Sequence, residues 1–155
     1  MTASIKGQIL EAIANRLTII TLANGFATGV KKIYNDKIPM GIQLQKQQLP
    51  AIFLLEGPDT IQLEFGCMKG NWDIRMQLWH NEVGDVEMIA FVRDVLKAIY
   101  ANSPTAQVLD AFRALHPNIY EFIPLSISPD LHMIEANRVT ELSFEVRYRT
   151  KLFDL

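Results

Sequence analysis

Hydrophobic and polar residues alternate strictly along two stretches of the chain. Trp72, Ile74, Met76, Leu78 and His80 alternate with Asp73, Arg75, Gln77 and Trp79, while Leu142, Phe144, Val146 and Tyr148 alternate with Ser143, Glu145, Arg147 and Arg149. A period of two sends one set to a packed face and the other to the opposite face, so both stretches predict half-buried antiparallel strands. The N-terminus follows another period: Ile5, Ile9, Ile13, Leu17 and Ile20 recur at steps of four and three, with Gln8, Glu11, Asn15 and Thr18 on another side. That spacing predicts an amphipathic helix, capped by Thr2 or Ser4 and ended by Asn24 and Gly25, where glycine can take the left-handed conformation.

Between these elements the pattern predicts a strand at 30–34, then a long polar loop at 35–49 containing Pro39, Gly41 and a glutamine-rich run. Such a loop is either a mobile surface excursion or an arm ordered by a partner. The apolar run 51–55 suits a central strand covered on both faces. Gly57, Pro58, Asp59 and Thr60 predict a turn, Ile61, Leu63 and Phe65 a further strand, and Lys69, Gly70 and Asn71 the turn into the Trp72 ladder. Asp85 is placed to cap a second helix with the stripe Met88, Phe91, Val92, Val95, Leu96 and Ile99. Ser103 and Pro104 predict the start of a third helix, carrying Val108, Leu109, Phe112 and Leu115. A strand at 119–127 is expected to lie at an edge or bulge near Pro124, with a turn at Ser128, Pro129 and Asp130. The sum is one α+β domain over residues 1–155. It has a mainly antiparallel, mixed sheet, with the N-terminal helix and a central helical pair packed on it.

With 155 residues, 49% of them hydrophobic, the chain can bury a core without disulfides or metal. A formal charge of −2 and fifteen scattered basic residues provide no dense stripe for gripping a nucleic-acid backbone, which argues against direct DNA binding. Cys67 is the only cysteine, which excludes an internal disulfide and a paired-cysteine metal or redox site. The opening residues run directly into a helical pattern bearing Lys6, Glu11 and Arg16, and no stretch approaches the roughly 20 apolar residues of a membrane span. A soluble, unexported protein is expected.

His80, His116 and His132 are too widely spaced for a local ligand motif, and neither a nucleophile elbow nor a phosphate-binding loop occurs. Asp59, Glu64, Asp73 and Asp85 show no sequence sign of converging as acid and base, and Cys67 between Gly66 and Met68 reads as a small apolar filler. No catalytic, metal-ligating or cofactor-binding residue is assigned. Surfaces carry the remaining information. Trp79 shares a parity with Asp73, Arg75 and Gln77, so it is either an aromatic anchor for another subunit or the site of an internal contact with a helix or the 35–49 loop. Glu145, Arg147 and Arg149 on the last strand, and Lys37, Gln43, Gln45 and Lys46 in the loop, complete the candidate interface.

The order of elements resembles the tail terminator proteins of long-tailed bacteriophages, also described as minor tail or tail-completion proteins. The resemblance spans nearly the whole chain. It rests on the N-terminal helix, the excursion ending in Leu49, Pro50, Ala51, Ile52, Phe53 and Leu54, the hairpin ending in the Trp72 to Leu78 ladder, the helix from Asp85 to Tyr100, and the closing strand from Leu142 to Thr150. It implies a small α+β subunit of a homo-oligomeric ring, usually a hexamer, at the head-proximal end of the tail tube. There the ring would end tube polymerisation and present a surface to the head–tail connector. The implied partners are a tail tube protein and a connector or neck protein, with DNA only passing through the lumen. The implied location is the virion, after assembly in the host cytoplasm, with no membrane, cofactor or catalytic residues. A connector, neck or tail-tube protein of the same virion, or a small α+β enzyme or ligand-binding domain, are the alternative readings.

Overall fold

In the computed structural model, which describes residues 4–35, 46–81, 84–100, 116–128 and 137–151, the two alternating stretches pair in the middle of a five-stranded sheet. The strands are β1 (Lys32–Tyr34), β2 (Ala51–Glu64), β3 (Cys67–His80), β4 (Ile119–Ser128) and β5 (Arg138–Lys151), in the spatial order β1-β2-β3-β5-β4. β1 runs parallel to β2 and every other pair is antiparallel, so the sheet is mixed. Two helices, α1 (Ile5–Leu17) and α2 (Asp85–Tyr100), cover one face and complete the α+β fold. The proposed third helix at 103–115 and the turn after Ser128 lie outside the described residues.

The core follows from the two periods. Ile9, Ile13 and Leu17 of α1 and Phe91, Val95, Ala98 and Ile99 of α2 meet Trp72, Ile74, Met76 and Leu78 of β3 and Leu142, Phe144, Val146 and Tyr148 of β5, all buried. Ser4 caps α1, its Oγ accepting from the Gly7 amide at 3.1 Å. The helix stops at Leu17, earlier than expected, and Asn24 with Gly25 instead close a separate 3₁₀ turn, Leu22–Asn24. Ile20 still reaches the core from the intervening segment. Asp94, on the buried side of α2, accepts the Thr28 amide at 2.7 Å and ties this connection to the helix.

Two expected turns are absent from their places. Gly57 and Pro58 do not separate two strands: β2 is continuous over fourteen residues, with the register broken only between Glu56 and Asp59. Proline supplies no amide to the ladder, so a bulge accommodates it without ending the strand. Likewise Lys69, Gly70 and Asn71 lie inside β3, and the chain reverses at Phe65 and Gly66, whose φ angles are +48° and +78°. Positive φ at both central residues matches the twist of a two-residue hairpin. Gly70 has a different purpose. A Cβ there would lie 2.3 Å from Cε1 of Tyr148, whose ring lies over it. The edge strand β4 does carry irregularities flanking Tyr120 and Leu125, the latter beside Pro124.

Candidate assembly surfaces

The face of the sheet opposite the helices is polar for most of its length. Asp73, Arg75 and Gln77 of β3 register with Glu145, Ser143 and Glu141 of β5. Arg147 is engaged within the protomer: its guanidinium donates to Glu121 Oε2 at 2.6 Å and to Glu145 Oε1 at 2.7 Å. Arg149 is exposed at the strand end, with its guanidinium 5.0 Å from the Tyr120 ring centre. Of the loop candidates, Lys37, Gln43 and Gln45 lie outside the described residues, and Lys46 begins a 3₁₀ turn, Lys46–Gln48.

Trp79 has the expected parity but not the exposure of a free anchor. It is only 3% exposed, in a second small core with Leu49, Ala51, Phe53 and Val139, beside Tyr34. Phe53 tilts against it at 5.2 Å and stacks on Tyr34 at 4.5 Å. Its Nε1 donates to Gln77 Oε1, and Gln77 Nε2 donates to Glu141 Oε2, which joins this core to the polar face. β1 and Leu49, the last residue of the 35–49 segment, bring apolar side chains to this end of the sheet, so Trp79 makes an internal contact.

The large exposed apolar residues sit elsewhere. Beyond the bulge, β2 and β3 continue as a hairpin past the helix-covered core. At that boundary Lys6 stands 4.4 Å over the Trp72 ring and 3.4 Å from Asp59 Oδ2, which also accepts a 2.5 Å hydrogen bond from the Tyr148 hydroxyl. Past it, Ile61 and Leu63 share the face of Gly70 and Met68, while Gln62 and Glu64 share the face of Lys69 and Cys67. Leu63 is 71% exposed and Phe65, at the tip, is fully exposed. The opposite side of the hairpin is charged: Glu64 pairs with Lys69, whose hydrogen bond and positive charge hold the carboxyl below its usual range. Arg149 and Lys151 of β5 register beside Lys69 and Cys67. With β5 paired to β3 as far as Cys67 and Lys151, this end of the sheet is a three-stranded arm, apolar on one side and charged on the other, with Phe65 at its turn.

A second apolar surface lies at the other end of β5. α2 and the end of β4 border a concavity of 540 Å³ lined by Met88, Ile89, Val92 and Ile127, with Asp85, Arg138 and Thr140 at one side. It is followed by a 510 Å³ hollow where Leu125 and Ile127 face Leu96 and Tyr100. Of the residues lining this groove, Ile89, Leu125 and Ile127 are exposed. Arg138 Nη2 meets Asp85 Oδ1 at 2.9 Å, so the residue expected to cap α2 begins the helix and anchors it to β5.

Neither surface was assigned from sequence. Phe65 and Gly66 place a glycine where a hairpin can use it, but Gly70 offers the same punctuation four residues on, so the sequence does not single out the arm. The groove has a signal as well: Ile89 is apolar but falls outside the buried stripe of α2. Among the described residues no group of three or more metal-ligating side chains converges, and no helix is long and apolar enough to cross a membrane.

Comparison with known proteins places the fold. No family model and no curated protein sequence matches the chain. A solved chain from the virion of a native gene transfer agent particle matches with a TM-score of 0.60 and 14% sequence identity, covering 96% of this chain and 100% of the other. At that identity the chain shares the fold of a virion component from end to end.

Proposed function

We propose that the protein is a structural virion component that forms a ring at the head-proximal end of a phage tail tube, ends tube polymerisation and supplies the head-joining surface. The observation that carries this reading is the fold likeness, over 96% of this chain and 100% of the other, to a chain of a phage-like virion particle. The element order that resembles tail terminators supports the finer position. A protomer with exposed apolar surfaces at two separate places is also suited to an assembly rather than to isolated life in solution. Its partners in this reading are copies of itself, six by analogy with the terminators, a tail tube protein and a connector or neck protein. DNA would only pass through the lumen, and no covalent chemistry is required.

Native mass measurement with negative-stain imaging of the purified protein, alone and with tail tubes, tests the ring: a closed annulus with an axial hole is expected. In particles produced without the protein, tails should grow to uncontrolled lengths or fail to join heads. Normal tail length and normal joining in its absence would overturn the assignment.

A further inference from the structure

The arm is fastened at its root, and we infer that Lys6, Asp59 and Tyr148 form a latch whose opening frees the outer strand of β2, residues 59–64, from β3 while the core stays folded. β2 is divided at this point: the register shifts between Glu56 and Asp59, so Gly57 and Pro58 interrupt the ladder. The inner part, Ala51 to Leu54, is buried, and β1 pairs with it at Ala51, Ile52 and Phe53. The outer part has β3 as its single partner strand among the described residues, and residues 60–64 are exposed. The ladder of β3 with β5 runs past the same level unbroken, to Cys67 and Lys151. A strand with one ladder, little buried apolar surface and a bulge at its root is built to open locally.

The latch closes across that bulge. The Lys6 ammonium, from the first turn of α1, stands 4.0 Å from Glu56 Oε1 on one side of the interruption and 3.4 Å from Asp59 Oδ2 on the other, over the Trp72 ring. Tyr148 reaches Asp59 from β5. Burial, then the bond to Asp59, raises the pKa of its hydroxyl, which therefore keeps its proton and donates a hydrogen bond to Oδ2. Asp59 is thus tied to α1 and β5, neither of which belongs to the ladder between β2 and β3. The tie is also marginal. The Asp59 side chain is only 8% exposed, yet its Oδ1 has no hydrogen-bond partner among the described residues, and neither does Nε1 of Trp72, opposite it in the register. A buried carboxylate with an unmatched oxygen is tolerated while a cation compensates it and becomes costly when the cation leaves. Lys6, whose side chain is 27% exposed, supplies that compensation from a position that solvent reaches. Farther out the strand is held by the surface pair of Glu64 with Lys69 and by the turn, which Phe65 at positive φ weakens.

Hydrogen exchange on the full chain, read by mass spectrometry at a concentration where it is monomeric, tests the latch. Lys6→Met keeps an alkyl stem over Trp72 and removes the charge; residues 60–64 should then exchange about tenfold faster, with 51–54 and 142–147 unchanged. Tyr148→Phe removes the donor and should accelerate the same residues. The discriminating variant combines Lys6→Met with Asp59→Asn. With no carboxylate left to compensate, and an amide oxygen still able to accept from Tyr148, protection of 60–64 should return toward the wild-type level. Unchanged exchange of 60–64 in Lys6→Met, equal acceleration of 51–54 and 142–147, or failure of that variant to fold would overturn the latch. So would a double variant whose residues 60–64 exchange no more slowly than those of Lys6→Met alone.

Discussion

β2 and β3 form one hydrogen-bonded ladder that passes through two environments. Residues 51–54 of β2 are buried and face the buried Trp79, Leu78 and Met76 across the register, with side chains covered on both sides of the sheet. Residues 60–64, on the same strand beyond the bulge, are all exposed. Backbone pairing is equally regular in both halves, so pairing does not explain why the ladder continues past its core. Side-chain packing makes the distinction: the first half is stabilised by burial inside the protomer, and the second presents apolar side chains that burial against another molecule would stabilise.

The largest break in this comparison should come from the covered half. Trp72→Ala or Phe144→Ala removes a fully buried ring, and should cost about 3–5 kcal/mol in chemical denaturation. Gly70→Val sharpens the boundary, because this position in the projecting half lies under Tyr148 and should behave like core. Its cost is expected at about 1–3 kcal/mol, read as a lower unfolding midpoint. Leu63→Ser, two residues from the tip, should change protomer stability by no more than about 0.5 kcal/mol while weakening assembly.

Acid should act on the covered region through two histidines. Burial lowers the pKa of His80, opposed in part by the charge of Glu87, and burial likewise lowers that of His116. In each case Nδ1 accepts a backbone amide, from Asn81 at 2.8 Å and Asn118 at 3.2 Å, so protonation turns an acceptor toward a donor. The unfolded chain therefore binds protons more readily. Stability from this source is complete above about pH 6.5 and declines as pH falls below it toward the depressed folded values. Thermal midpoints measured between about pH 7 and 5 should fall more steeply for the wild type than for His80→Asn with His116→Asn.

The smallest effect has the opposite sign. Phe65→Asn places a residue tolerant of positive φ at the turn and should raise protomer stability by a few tenths of a kcal/mol, measured under conditions where the chain is monomeric. A gain in protomer stability accompanied by loss of assembly would separate the requirements of the turn from those of the assembled particle.

The alternating ladders, the N-terminal amphipathic stripe and the stripe of α2 were legible in the sequence because each encodes a local period, and burial follows that period directly. From those alone the α+β class, the strand parity and most core residues follow. Register and turn position were not legible, since Gly57, Gly66 and Gly70 look alike as punctuation. Only the tertiary structure shows that Gly57 belongs to a bulged stretch, Gly66 to the reversal and Gly70 to the space under Tyr148. The same limit applies to Trp79. Its parity was readable, but its burial depends on Leu49, Phe53, Tyr34 and Val139 arriving from other strands and segments. Local pattern determines which way a side chain points; what stands there to meet it is decided by residues far away in the chain.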